Sequence, residues 1–211
     1  MNALFVKIPK WVQRLFKNKT WSISTTDKEI YLTFDDGPTP KITEWVLNQL
    51  EQHNAKATFF CIGKNIKKHS DTFNKITANG HSIGNHTYNH LKGWNTPSDV
   101  YLENILKTER ILERKSNSKK LFRPPYGKIT AKQSIKIIDK GYKIIMWEVL
   151  SADFDSNINK EKCLKNVLKN AKSGSIIVFH DSIKASAHIQ YVLPKVLEHF
   201  KKKGYRFKAI T

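Results

Sequence analysis

Cysteine is scarce in this chain: two in 211 residues, Cys61 and Cys163. Two thiols cannot make the disulfide framework that holds small secreted domains together. Cys61 lies in an apolar run, residues 57–62, that reads as a buried strand, so both thiols are expected as reduced core residues. Nine glycines and seven prolines are too few and too scattered for a low-complexity tract or a flexible linker. Long hydrophobic runs are missing too: the N-terminus, MNALFVKIPKWVQRLFKNK, is broken by a charge every few residues, unlike a secretory signal or a membrane span. On that reading the expected location is the cytoplasm or the periphery of the inner membrane.

Acidic residues are the other shortage, with 18 Asp and Glu against 37 Lys and Arg, for a formal charge of +19. Such a field favours polyanions: nucleic acid, anionic lipid and acidic glycan all qualify, and lysines spread along the whole length with no arginine-rich or aromatic-interleaved segment do not choose among them; a nucleic-acid partner is not the expected one. A solvated basic surface kept for solubility explains the same excess. Hydrophobic residues at 39% and aromatics at 11% fit a globular fold. The length suits one domain with a large core.

From residue 30 onward, short apolar or β-branched runs alternate with amphipathic ones. Strands are expected at 30–34, 57–61, 82–84, 121–123, 142–147, 175–179 and 205–208, with helices at about 40–53, 66–79, 98–114, 130–140, 160–171 and 189–203. Gly80, Gly141 and Gly204 fall where helix C-caps belong. Strands separated by helices imply parallel βαβ units in either a doubly wound sheet or a barrel, and a barrel is favoured. Both architectures gather ligands at the carboxyl ends of the strands. Residues 1–29 form a basic lead-in, and 30–211 the single α/β domain.

Just beyond the expected strands stand Asp35-Asp36-Gly37-Pro38, then His86 and His90, then Arg123-Pro124-Pro125-Tyr126, then Asp153, then His180-Asp181. Histidines four apart can share one side of a helical turn and offer neutral nitrogens to a metal, which one carboxylate would complete. Alone, that spacing is weak, since surface histidines often share it. Adjacent Asp35 and Asp36 make sense if one holds an ion and the other takes a proton from the attacking water; Asp-Gly-Pro is also ordinary turn chemistry. His180, carried to a rim by an apolar strand, suits a general acid or a core histidine. Arg123 could orient a carboxylate or close a turn.

Five segments in this order, Thr33-Phe34-Asp35-Asp36-Gly37-Pro38, His86-Thr87-Tyr88-Asn89-His90, Arg123-Pro124-Pro125-Tyr126, residues 147–154 and Val178-Phe179-His180-Asp181, resemble the motifs of the polysaccharide deacetylase family, carbohydrate esterase family 4, which shares the NodB-homology domain. The resemblance spans about residues 30–207 and implies a distorted (β/α)7 barrel, with residues 30–211 as the catalytic domain. It implies metal-assisted hydrolysis of acetyl groups on a poly-, oligo- or lipid-linked glycan, usually N-acetylated and alternatively O-acetylated. Asp35 matches the base, and Asp36, His86 and His90 match ligands of one divalent ion, zinc first, with cobalt, nickel or manganese as alternatives. Arg123 matches the residue orienting the base, the backbone N–H of Tyr126 an oxyanion donor, His180 the general acid, and Asp153 the carboxylate tuning it. Leu150 and Phe154 depart from the family's fourth motif, which carries an acid and a tryptophan there, and Val178 replaces a leucine; activity with an altered substrate wall is expected.

The competing expectation is a non-catalytic metal-containing module that holds an acidic glycan or nucleic acid, for which a base at Asp35 would be superfluous. In the lead-in, Val12, Leu15 and Phe16 fit one helical face among Lys7, Lys10, Arg14, Lys17 and Lys19. That pattern fits either a segment packed onto the barrel or, through residues 1–20, an anionic membrane surface.

Overall fold

The computed structural model describes residues 5–115 and 120–211. Among these residues eight strands run β1 Glu29–Asp35, β2 Thr58–Cys61, β3 Ser82–Asn85, β4 Leu121–Phe122, β5 Lys143–Ile144, β6 Val149–Leu150, β7 Ile176–His180 and β8 Arg206–Phe207. They are all parallel, in the order β5-β4-β3-β2-β1-β7-β6, with β8 against the start of β1. The helices are α1 Lys10–Leu15, α2 Ile42–Gln52, α3 Gly63–Lys68, α4 Ser70–Ala78, α5 Ser98–Lys115, α6 Ala131–Asp139, α7 Lys160–Leu168 and α8 Ser186–Lys202. The result is the distorted (β/α)7 barrel in one domain that the motifs implied, open between β5 and β6.

Central β1 is buried along nearly its whole length, as a parallel strand covered on both faces must be. Its two-residue period sends Leu32 and Phe34 outward into the cluster that holds Val46, Leu50, Val192 and Val196 of α2 and α8. Phe34 lies between Phe59 and Phe179, with centroids at 5.0 and 6.0 Å, and truncating it to alanine should cost about 3–5 kcal/mol. The same period turns Tyr31 inward against Phe60, Ile145 and Ile176, and places Thr33 and Asp35 above it on the inner face. A carboxylate thus ends the strand inside the barrel mouth.

Two expectations need correction. Residues 142–147 do not form one strand: pairing stops at Ile144, and a strand not expected from the sequence, β6, begins at Val149 on the opposite edge of the sheet. The chain crosses the gap between them, and carbonyls that would have continued a ladder instead accept hydrogen bonds from Arg123, at Ile145 (3.2 Å) and Met146 (2.8 Å). The helix expected at 66–79 is broken at His69, whose φ of −127° and ψ of 52° separate α3 from α4. Gly80, Gly141 and Gly204 do follow helices at positive φ.

The lead-in spans the open side. Val6 and Ile8 pair with β6 and its neighbour (Leu150 N–H to Val6 O, 2.8 Å; Ile8 N–H to Glu148 O, 2.9 Å), while Thr20 pairs beside β5 (Thr20 N–H to Ile144 O, 2.8 Å; Met146 N–H to Thr20 O, 2.7 Å). Both edge strands therefore find backbone partners there. Ile8, Val12 and Trp21 pack with Phe122, Ile129 and Tyr142. Cys61 and Cys163 are buried free thiols. No helix among the described residues is long and apolar enough to cross a membrane.

Candidate active site

The loops after the strands hold most of the left-handed non-glycine backbone. Asp36, Thr87, His90, Tyr126 and Ala152 all have left-handed φ, between 56° and 80°, and all lie just beyond β1, β3, β4 or β6. Non-glycine residues settle there only where surrounding contacts enforce it, and such strain gathers at working sites. Beyond β1 the enforcement comes from Asp181. Its buried carboxylate accepts from Gly37 N–H (3.0 Å) and from the Thr43 hydroxyl (2.5 Å), and Asn65 donates to the Asp36 carbonyl (2.8 Å). A Cβ on Gly37 would lie 2.0 Å from that carboxylate, so the turn requires glycine.

This turn separates two adjacent acids. Asp35, only 4% exposed, accepts from Arg123 Nη1 at 2.7 Å. Fully buried Arg123 also donates to Thr33 Oγ1, Ile145 O and Met146 O, and stacks 4.1 Å from the Phe60 ring centroid. With its donors satisfied and its charge matched, the guanidinium is stable in the core, whereas removing either partner would strand the other charge.

Asp36 points the opposite way. Its Oδ1 is buried and lacks a hydrogen-bond donor, though His90 Nε2 lies 3.2 Å and His86 Nε2 3.8 Å away. The His86 ring must donate from Nδ1 to the Arg123 carbonyl (2.8 Å), which turns the lone pair of Nε2 toward Asp36. The histidines converge through the kinks at Thr87 and His90, not through the helical turn expected from their spacing. One ligand atom from each of Asp36, His86 and His90 falls within 4.8 Å of the others. An orphaned carboxylate oxygen facing two imidazole nitrogens fits a small divalent cation, which would satisfy all three at once.

Across the mouth, Asp153 has no exposed surface and grips His180 twice: Oδ1 to the ring Nδ1 and Oδ2 to the backbone N–H, both 2.7 Å. Phe154 packs against the His180 ring at 5.1 Å. Tyr126, 48% exposed, sets its ring 4.7 Å from His90. Leu150 and Val178 are paired in register on β6 and β7 and buried, with Val178 on the His180 face.

The charges follow this packing. Burial alone would raise the Asp36 carboxyl, but the His90 contact and the fields of His180 and His86 outweigh it and hold the group below the usual carboxylate range. Burial, only partly opposed by Asp35, brings the His86 imidazole down to about 4, which keeps it in the neutral form that can bind a metal. Burial works against a charged His180, yet Asp153, with Asp36 and Asp35 behind it, lifts that imidazole to about 9. Burial raises Asp181 to about 7. Asp35, Asp36, His86, His90, Arg123, Tyr126, Asp153 and His180 all lie in or just after the carboxyl ends of the strands; Asp181 was only part of a motif in the sequence, and its lock on Gly37 had no local signal.

A carboxylate paired with Arg123, another paired with His180, and a third that converges with two imidazoles, all at the carboxyl ends of a parallel barrel, fit a metal-assisted hydrolase. A polysaccharide deacetylase family model matches residues 22–145, more than half of the chain. A peptidoglycan-N-acetylglucosamine deacetylase of Bacillus cereus is 38% identical over 194 residues, covering 91% of each chain. The solved structure of the Bc1960 peptidoglycan N-acetylglucosamine deacetylase, in complex with an N-hydroxybenzamide, superposes with a TM-score of 0.87 at 34% identity over 94% of both chains. A Bacillus anthracis protein described as a pseudoenzyme of carbohydrate esterase family 4 also shares the fold, with a TM-score of 0.78 at 26% identity over 90% of this chain and 66% of that one. The chain belongs to the polysaccharide deacetylase family, and as such it is a metal-dependent carbohydrate deacetylase, a hydrolase that removes acetyl groups from N-acetylated sugars.

Proposed function

We propose that this chain removes the N-acetyl group from N-acetylglucosamine residues of a peptidoglycan-type glycan with one zinc ion, through a divided pair of aspartates. The observation that carries the reading is the split at the end of β1: Asp35 bound to Arg123, and Asp36 with an unsatisfied oxygen facing His86 and His90. Two imidazoles and a carboxylate are donors that suit zinc and leave room for substrate. The bound ion would polarise the acetyl carbonyl and make water more acidic.

The remaining steps belong to the chain's own groups. Arg123 fixes one oxygen of Asp35 and leaves the other free to take a proton from the attacking water. The Tyr126 backbone N–H stabilises the negative charge that develops on the carbonyl oxygen. As the carbon–nitrogen bond breaks, protonated His180 donates from Nε2 to the departing amine, with Asp153 holding Nδ1 on the far side of the ring. Acetate and a free amino sugar result. The B. cereus relative's substrate, given in its name, supports N-acetylglucosamine in peptidoglycan as the target.

Acetate release from peptidoglycan fragments, N-acetylglucosamine oligomers and acetylated xylan, by metal-depleted protein reloaded with zinc, tests the reading. It expects turnover on the N-acetylated glycans only when zinc is restored. Preference for acetylated xylan would overturn the substrate assignment, and full activity without metal would overturn the mechanism.

A further inference from the structure

The lead-in turns one face to the barrel and leaves the other bare. Ile8, Val12 and Trp21 face inward, whereas Trp11, Leu15 and Phe16 are 59%, 68% and 45% exposed. With Phe5 at 41%, four of the ten exposed large hydrophobics among the described residues fall between residues 5 and 16. Single exposed apolar residues are ordinary; a concentration of them marks a contact surface.

The charge around them has one sign. Lys10, Arg14, Lys17 and Lys19 lie in or just after α1, and no acidic residue precedes Asp27. Lys7 is engaged with the Asn170 carbonyl at 2.9 Å and lies 4.0 Å from buried Glu148, but the ion pairs of the described residues include none of the other four. These four line a shallow hollow of about 450 Å³ with Gln13 and Thr20.

We propose that the outer face of the lead-in, centred on Trp11, Arg14 and Leu15, docks on an anionic phospholipid bilayer. The rings and Leu15 enter the boundary between headgroups and acyl chains, while the cations meet lipid phosphates, one of which fits the hollow. A soluble polyanion would use the cations but has no need of bare Trp11 and Leu15, nor of Phe16, over whose ring Lys19 Nζ lies at 4.3 Å. A second copy of the chain would set like charges against each other on a molecule already carrying +19.

The test sediments the whole chain with vesicles of phosphatidylcholine alone, or of phosphatidylcholine with phosphatidylglycerol, at about 50 and about 500 mM salt. Trp11→Ser/Leu15→Ser and Lys10→Glu/Arg14→Glu variants run in parallel, with acetate release from a soluble glycan as the check on folding. The expected result is binding to anionic vesicles at low salt, weakened at least about tenfold by high salt and by either double variant, with soluble turnover unchanged. If a double variant fails to fold, Leu15→Ser alone, at the most exposed of these positions, replaces it. Absence of vesicle binding, equal binding by the serine variant, or self-association that the serine variant abolishes without any vesicle binding would each overturn the proposal.

Discussion

The two sides of the rim are built by different means. On the side of β1, β3 and β4, the constraint is spread over several contacts, in which Asp181 pins the turn, the Arg123 carbonyl orients His86, and the Arg123 guanidinium holds Asp35. On the side of β6 and β7, a single carboxylate does nearly everything, since Asp153 fixes both the ring and the backbone of His180 and lifts its pKa. The side of β1, β3 and β4 should lose its ion when Asp36, His86 or His90 is removed, and the side of β6 and β7 should change its titration when the Asp153 charge is removed.

The most damaging change expected is His86→Ala, which should take metal content from one ion per chain to none and turnover to background; elemental measurement beside acetate release checks both. Next comes Asp35→Asn, which should keep the ion and lower turnover by about two to four orders of magnitude. Asp153→Asn should act on pH dependence. The acid must carry its proton, so the rate falls as pH rises through the His180 value of about 9. Without the Asp153 charge that value drops, and the alkaline limb of the rate profile should move to lower pH; an unmoved limb would assign the acid elsewhere. Gly37→Ala should lower stability by about 1–3 kcal/mol in denaturant unfolding, because its Cβ would strike the Asp181 carboxylate. The mildest change, Phe154→Trp, should alter KM by less than about tenfold, the worth of one aromatic contact.

Much of this was legible in the sequence. The strands of a parallel barrel are apolar runs, so a polar residue just beyond one stands out, and Asp35, Asp36, His86, His90, Asp153 and His180 were all found that way. What was hidden depends on contacts between distant segments. The close approach of Asp181 to Gly37, the two kinks that bring His86 to His90, and the Arg123 bonds to the carbonyls just past β5 leave no periodic trace. The lead-in's place between β5 and β6 is likewise a long-range pairing that α1's own pattern does not specify.

Fold alone does not settle catalysis, since a pseudoenzyme of the family shares this barrel. The central claim is the division of labour between Asp35 and Asp36, and metal content measured beside acetate release for Asp35→Asn and Asp36→Asn tests it most directly. The account predicts that Asp35→Asn retains one zinc ion per chain while losing turnover, and that Asp36→Asn loses both. Loss of zinc from Asp35→Asn, or a fully loaded and active Asp36→Asn, would contradict it.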